Sequence, residues 1–169
     1  MRLSSACIIN PKNSIDDNLK VSFVPMTLIQ DGFSNSFTFQ QRKWSEIKKG
    51  FTHFAENDVG FAKITPCFEN RKSVVFRNLL NGYGAGTTEL NILRTFANTI
   101  LPEYLLYLVK SDSFINGGKE TFSGAVGQQR IDKEYVFNYL CPVPPLQEQY
   151  RIIEKCTSLF NIITCIEKN

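Results

Sequence analysis

The pair Pro144-Pro145 restricts what this chain can fold into more than any other feature, because it separates two regimes of patterning. Two prolines in a row cannot sit inside a helix, yet they lead well into a first helical turn, where a missing N–H costs nothing. From Leu146 to about Glu167 there is no further proline or glycine. Over that stretch Leu146, Tyr150, Ile153, Phe160 and Ile163 recur at threes, fours and sevens, with Ile152, Cys156, Leu159 and Ile166 widening the stripe. This predicts a C-terminal amphipathic helix, and so broad an apolar face requires a partner.

Upstream of the prolines the elements are short and mixed. Val21–Met26 reads as an extended run in which Pro25 marks an edge strand or a strand end. Trp44–Lys49 followed by Gly50 predicts a short helix with a glycine stop. Asp58–Thr65 alternates as a strand, with Val59, Phe61 and Lys63 on one side and Ala62 and Ile64 on the other. After a polar turn at Glu69–Lys72, Ser73–Arg77 pairs back as a hairpin.

Gly82–Thr88 reads as a glycine-rich loop, followed by a strand over Glu89–Arg94. Pro102–Lys110 predicts a helix that buries Leu105, Leu108 and Val109. The loop Phe122–Arg130 comes next, then a short helix capped by Asp132 and an apolar strand over Tyr139–Val143. Strands and helices mix without a regular βαβ alternation. The fold class expected is α+β: a mixed, mostly antiparallel β core with flanking short helices and the C-terminal amphipathic helix.

Composition excludes several function classes. With 169 residues, 43% apolar and 21% charged, the chain suits one main domain, and no stretch approaches the roughly 20 apolar residues of a membrane helix. The first ten residues lack the pattern of a signal peptide, so a cytoplasmic location without membrane contact is expected. Five scattered cysteines and one histidine, His53, suit neither a zinc site nor a disulfide framework, so neither a metal nor a cofactor is expected. No nucleophile–base pair accompanies His53, and the Asp31, Glu46 and Lys48 spacing is too loose for a nuclease triad. Catalysis is not expected. The net charge of +3 is concentrated centrally, with nine Lys or Arg against five acids between Arg42 and Arg94.

Several runs resemble the target recognition domains of type I restriction–modification specificity subunits. They are Val21–Met26, Trp44–Lys49, Asp58–Cys67 leading into Glu69–Lys72, Gly86–Arg94, Pro102–Leu105, Gly124–Ile131 and Pro142–Gln149 with Arg151–Ile153. The most specific are GAVGQQRI and PPLQEQYRI at their observed separation. The resemblance implies a recognition domain over residues 1–145 and, over 146–169, the start of a conserved helix that spaces two such domains and docks methylation subunits. A full subunit carries two recognition domains and two helices. The chain is therefore expected to be a fragment, or a half-sized subunit pairing with another copy.

The function implied is sequence-specific binding of double-stranded DNA, reading one half of a bipartite target within a complex of methylation and restriction subunits. The alternative is an assembly module acting through the helix residues Leu146, Tyr150, Ile153, Phe160 and Ile163, by homodimerisation or with a second recognition domain. A reader needs cations for phosphates and planar polar groups for base edges. Gln128, Gln129 and Arg130 supply both, with scaffold or phosphate duty ahead of base reading. Asn70, Arg71 and Lys72 at a hairpin tip could enter a groove, Lys63 points the same way, and Thr87 and Thr88 would sit near the DNA backbone. Gly82–Thr88 lacks the lysine of a phosphate-binding loop and leads into a strand, so it is no nucleotide site.

Overall fold

The computed structural model describes residues 1–97 and 99–167. Two four-stranded sheets form its centre. The first sheet joins β1 (Cys7–Ile9), β8 (Leu90–Thr95), β5 (Val59–Ala62) and β6 (Ser73–Val75) in that order, all antiparallel. The second joins β3 (Gln40–Lys43), β2 (Lys20–Val24), β7 (Tyr83–Gly86) and β4 (Thr52–Ala55), with β2 and β7 parallel.

The first sheet is covered on both faces, and for this reason every residue of β5 is buried. Val59 and Phe61 face a core built with α3 (Pro102–Lys110), α4 (Asp112–Lys119) and α5 (Lys133–Asn138), where Leu105, Leu106, Phe114 and Val136 pack. The opposite face, carrying Val74 and Ile92, meets Val24 and Phe54 of the second sheet. A third cluster of Val21, Trp44, Ile47 and Ala85 joins α2 (Trp44–Ile47) to the second sheet. The α+β class holds.

The contact between the sheets corrects the expectation for Gly82–Thr88. Tyr83–Gly86 is a central strand, not a loop. Phe54 and Phe76 stack between the sheets with ring centroids 3.7 Å apart, and a glycine lies against each ring. A Cβ on Gly60 would lie 2.6 Å from Phe76, and one on Gly84 would collide with Phe54 and sit 2.6 Å from the Ser22 carbonyl. The glycines are there for close approach, not for turning. The turn lies one step earlier, where Asn81 and Gly82 have positive φ.

Other expectations hold or shift. Gly50 follows α2 with φ +78° and Asp132 caps α5 through Glu134 N–H. Pro25 stands just past the end of β2, which is an interior strand. Tyr139–Val143 forms no ladder, only a single bridge from Leu140 to Arg2 beside α1 (Leu3–Ala6), because its outer side has no strand to pair with.

α6 spans Leu146–Glu167, and residues 168–169 of the expected spacer segment lie outside the described residues. Gln149 latches it to the domain from a fully buried position. The Gln149 amide donates to the Thr99 and Pro144 carbonyls at 2.9 and 2.8 Å, and its oxygen accepts from Leu101 N–H at 2.8 Å. Further along, Phe160 stacks on Phe33 with centroids 4.5 Å apart.

Candidate nucleic-acid interface

An open cleft runs between the edge of the second sheet and the ends of β5 and β8. It is lined by Asn10, Lys12, Thr52, Lys63 and Thr88, with Phe51 and Leu90 at its floor. Lys12 is exposed and Lys63 half-buried, and among the described residues neither side chain forms a salt bridge or hydrogen bond. Lys63 lies close enough to Glu89 for its charge to act on that carboxyl, but neither cation is held in a direct salt bridge, and two such cations facing one polar cleft are suited to an anionic ligand such as a phosphate backbone. Lys12 stands alone in an irregular segment, and no sequence pattern singled it out.

The position of Lys12 depends on a buried histidine. His53 Nδ1 accepts from Asn13 N–H at 3.2 Å, and Nε2 donates to the Lys48 carbonyl at 2.9 Å, so the network assigns a neutral ring protonated on Nε2. Burial lowers the pKa of His53, opposed in part by the Lys48 carbonyl. The ring thus ties the segment bearing Lys12 to the turn that leads into β4.

The loop Ser123–Arg130 is attached to the segment that carries Lys63. Its base is closed by paired backbone bonds between Ser123 and Arg130 at 3.0 and 2.9 Å, and its tip turns through Gln128 N–H to the Ala125 carbonyl at 2.9 Å. The loop is fastened to the segment Lys63–Thr65 at three further points. Thr65 N–H donates to the Gln129 carbonyl, Gln129 N–H donates to the Thr65 hydroxyl, and Ile131 N–H donates to the Lys63 carbonyl. Arg130 grips Glu89 through two hydrogen bonds of 2.9 and 2.6 Å, and this bonding holds the Glu89 carboxyl below its ordinary pKa. Thus Arg130 and the Gln129 backbone brace the loop, leaving the Gln128 side chain exposed.

The other predicted residues are placed differently. Thr88 is exposed on the cleft, whereas Thr87 accepts from Glu89 N–H at 3.2 Å. Asn70 is exposed and its carbonyl holds Gly32 N–H. Arg71 and Lys72 turn onto the protein. Arg71 bonds the Lys110 carbonyl, pairs with Asp112 and lies over the Phe33 ring; Lys72 donates to the Met26 and Ile29 carbonyls at 3.3 and 3.0 Å. Lys110, fully buried beside them, donates to the Gly32 and Arg71 carbonyls, and burial lowers its pKa to about 7. The cations around the Gly32 loop therefore brace it.

Of the helix residues, Ile153 packs on the domain core and Phe160 on Phe33, while Leu146 is half-buried. Tyr150 and Ile163 are exposed, together with Leu159, Ile162 and Ile166. Among the described residues no cluster of His, Cys, Asp or Glu could hold a metal ion, and no helix is long and apolar enough to cross a membrane.

No protein-family model matches the chain. Curated relatives do. The chain is 45% identical over 161 residues to the type I restriction enzyme EcoAI specificity subunit of Escherichia coli, covering 95% of the chain and 27% of that protein. It is 40% identical over 167 residues to the EcoEI specificity subunit of Escherichia coli, covering 98% of the chain and 28% of that protein. It therefore spans little more than a quarter of the length of these relatives. The HsdS subunit from Thermoanaerobacter tengcongensis has the same fold, with a TM-score of 0.79 at 20% identity, over 99% of the chain and 43% of that structure. On these matches the chain belongs with the specificity subunits of type I restriction–modification systems, to part of whose length it corresponds.

Proposed function

We propose that this chain binds double-stranded DNA sequence-specifically and reads one half of a bipartite target, without catalysing any reaction itself. The observation that carries this reading is the cleft, where Lys12 and Lys63 stand without direct salt bridges, and the segment bearing Lys63 holds a braced loop that presents Gln128. In this reading Lys12, Lys63 and Thr88 hold phosphates, and Gln128 reaches a base edge, glutamine being suited to adenine. Asn70 adds a second exposed amide. Thr87, Gln129, Arg130, Arg71 and Lys72 keep these groups in place.

Residues 1–145 form the reader, and 146–169 begin a spacer that joins it to a larger complex. The relatives are named as specificity subunits of type I restriction enzymes, which supports assembly with the other subunits of such an enzyme; in this reading those are methylation and restriction subunits, and the complex acts in the cytoplasm. The exposed face of α6, with Tyr150, Leu159, Ile162, Ile163 and Ile166, suits a helix from a second recognition domain or a second copy of the chain.

The test is selection of bound sequences from random duplex DNA by the chain assembled with methylation subunits. An enriched short half-site is expected. Affinity should fall steeply with salt, because each neutralised phosphate releases counterions with a slope of about 0.9. Replacing both Lys12 and Lys63 with alanine should lower that slope by about 2. Binding with no sequence preference would refute the reading and leave only an assembly role for α6.

A further inference from the structure

We propose that Val126, at the tip of the Ser123–Arg130 loop, enters the major groove and contacts the methyl group of a thymine; this rests on the DNA reading above. Val126 is 96% exposed, the most exposed large apolar residue among those described. A single exposed valine on a helix or strand needs no explanation. This one stands at the end of a loop whose shape is fixed along its length. The Ser123–Arg130 pair closes the base, Thr65 and Lys63 hold its C-terminal side, and Gly124 and Gly127 turn the tip with φ of +109° and +81°. Neither Gly127 nor the tip around it is crowded by the rest of the protein.

The dimensions select the groove. Two paired backbone segments lie about 5 Å apart, and with side chains the loop is on the order of 10 Å across. That width suits the major groove, about 12 Å wide, and not the minor groove, about 6 Å wide. In the major groove the apolar feature a base pair offers is the thymine C5-methyl, while the adenine paired with it offers its N6 and N7 to an amide. Val126 and Gln128, two residues apart on one tip, match the two halves of such an A·T pair. Lys63 at the foot of the loop, with Lys12 across the cleft it lines, would hold flanking phosphates and set its depth.

The experiment uses the chain assembled with methylation subunits and the half-site obtained by selection. Each thymine of the half-site is replaced in turn by deoxyuridine, which removes only the methyl group, and each duplex is measured with the unsubstituted chain and with Val126→Ser. At one thymine the unsubstituted chain should lose about fourfold in affinity, the worth of burying one methyl-sized group. Val126→Ser should bind the natural duplex more weakly by a similar factor and be indifferent to deoxyuridine at that position. Equal sensitivity of both proteins, insensitivity at every thymine or a half-site without thymine would overturn the inference while leaving the DNA reading intact. So would a Val126→Ser variant that fails to assemble with methylation subunits, since the tip would then contact protein. Absence of any sequence preference in the unsubstituted chain would instead remove the DNA reading itself.

Discussion

Replacing Gln149 with alanine should detach the start of α6 from the recognition domain. The side chain is fully buried and makes three hydrogen bonds, to the Thr99 and Pro144 carbonyls and from Leu101 N–H. A buried donor or acceptor left without a partner costs about 1–3 kcal/mol. Leu101 N–H cannot turn away, because it lies at the start of α3, which is packed on the core. The two carbonyls stand where water can reach once the helix lifts, so they recover part of their loss. The net destabilisation expected is about 3 kcal/mol, or a fall in Tm of roughly 6–12 °C for a chain of this size. Urea unfolding monitored by circular dichroism measures it, with Tyr150→Ala as the control; that neighbour is 60% exposed and its loss should stay within about 0.5 kcal/mol. Gln149→Met, equal in length but without polar atoms, should behave like alanine if hydrogen bonding is what matters. A Gln149→Ala protein as stable as the Tyr150→Ala control would refute the latch.

Two further outcomes follow from the packing. Gly84→Ala should destabilise by more than about 2 kcal/mol, since the new methyl collides with Phe54 and the Ser22 carbonyl in a filled core; the urea midpoint reads it. The folded-state pKa of His53 lies below its ordinary value near 6.5, so the neutral ring's contribution is present above about pH 6.5 and is lost as pH falls through the lowered pKa. Stability measured from pH 7.5 to 5 should show this loss, and His53→Gln should not.

The sequence disclosed most where one periodicity ran long enough. α6 and α3 were legible because the apolar residues repeat at helical spacing and a proline marks each start. β3 left no trace because all four of its residues are exposed, so the edge strand has no apolar alternation. β7 was misread because glycine signals a turn and a close approach with the same letter, and only the facing Phe54 and Phe76 rings tell them apart. Of the candidate residues that the motifs pointed to, Lys63 and Thr88 line one cleft, and Gln128 stands exposed on the loop attached beside Lys63. Lys12 was not legible in the sequence, since its place on the cleft depends on His53 holding a distant segment. The inward turn of Arg71 and Lys72 likewise depended on carbonyls at Met26, Ile29 and Lys110, remote in sequence.

The loop Ser123–Arg130 is held through its backbone, through the Thr65 hydroxyl and through the Arg130–Glu89 pair, whereas Ala125, Val126 and Gln128 support nothing beneath them. Exchanges at those three positions therefore leave the stability of the molecule almost untouched while altering what it presents. The tip can therefore be altered one residue at a time without passing through an unfolded intermediate.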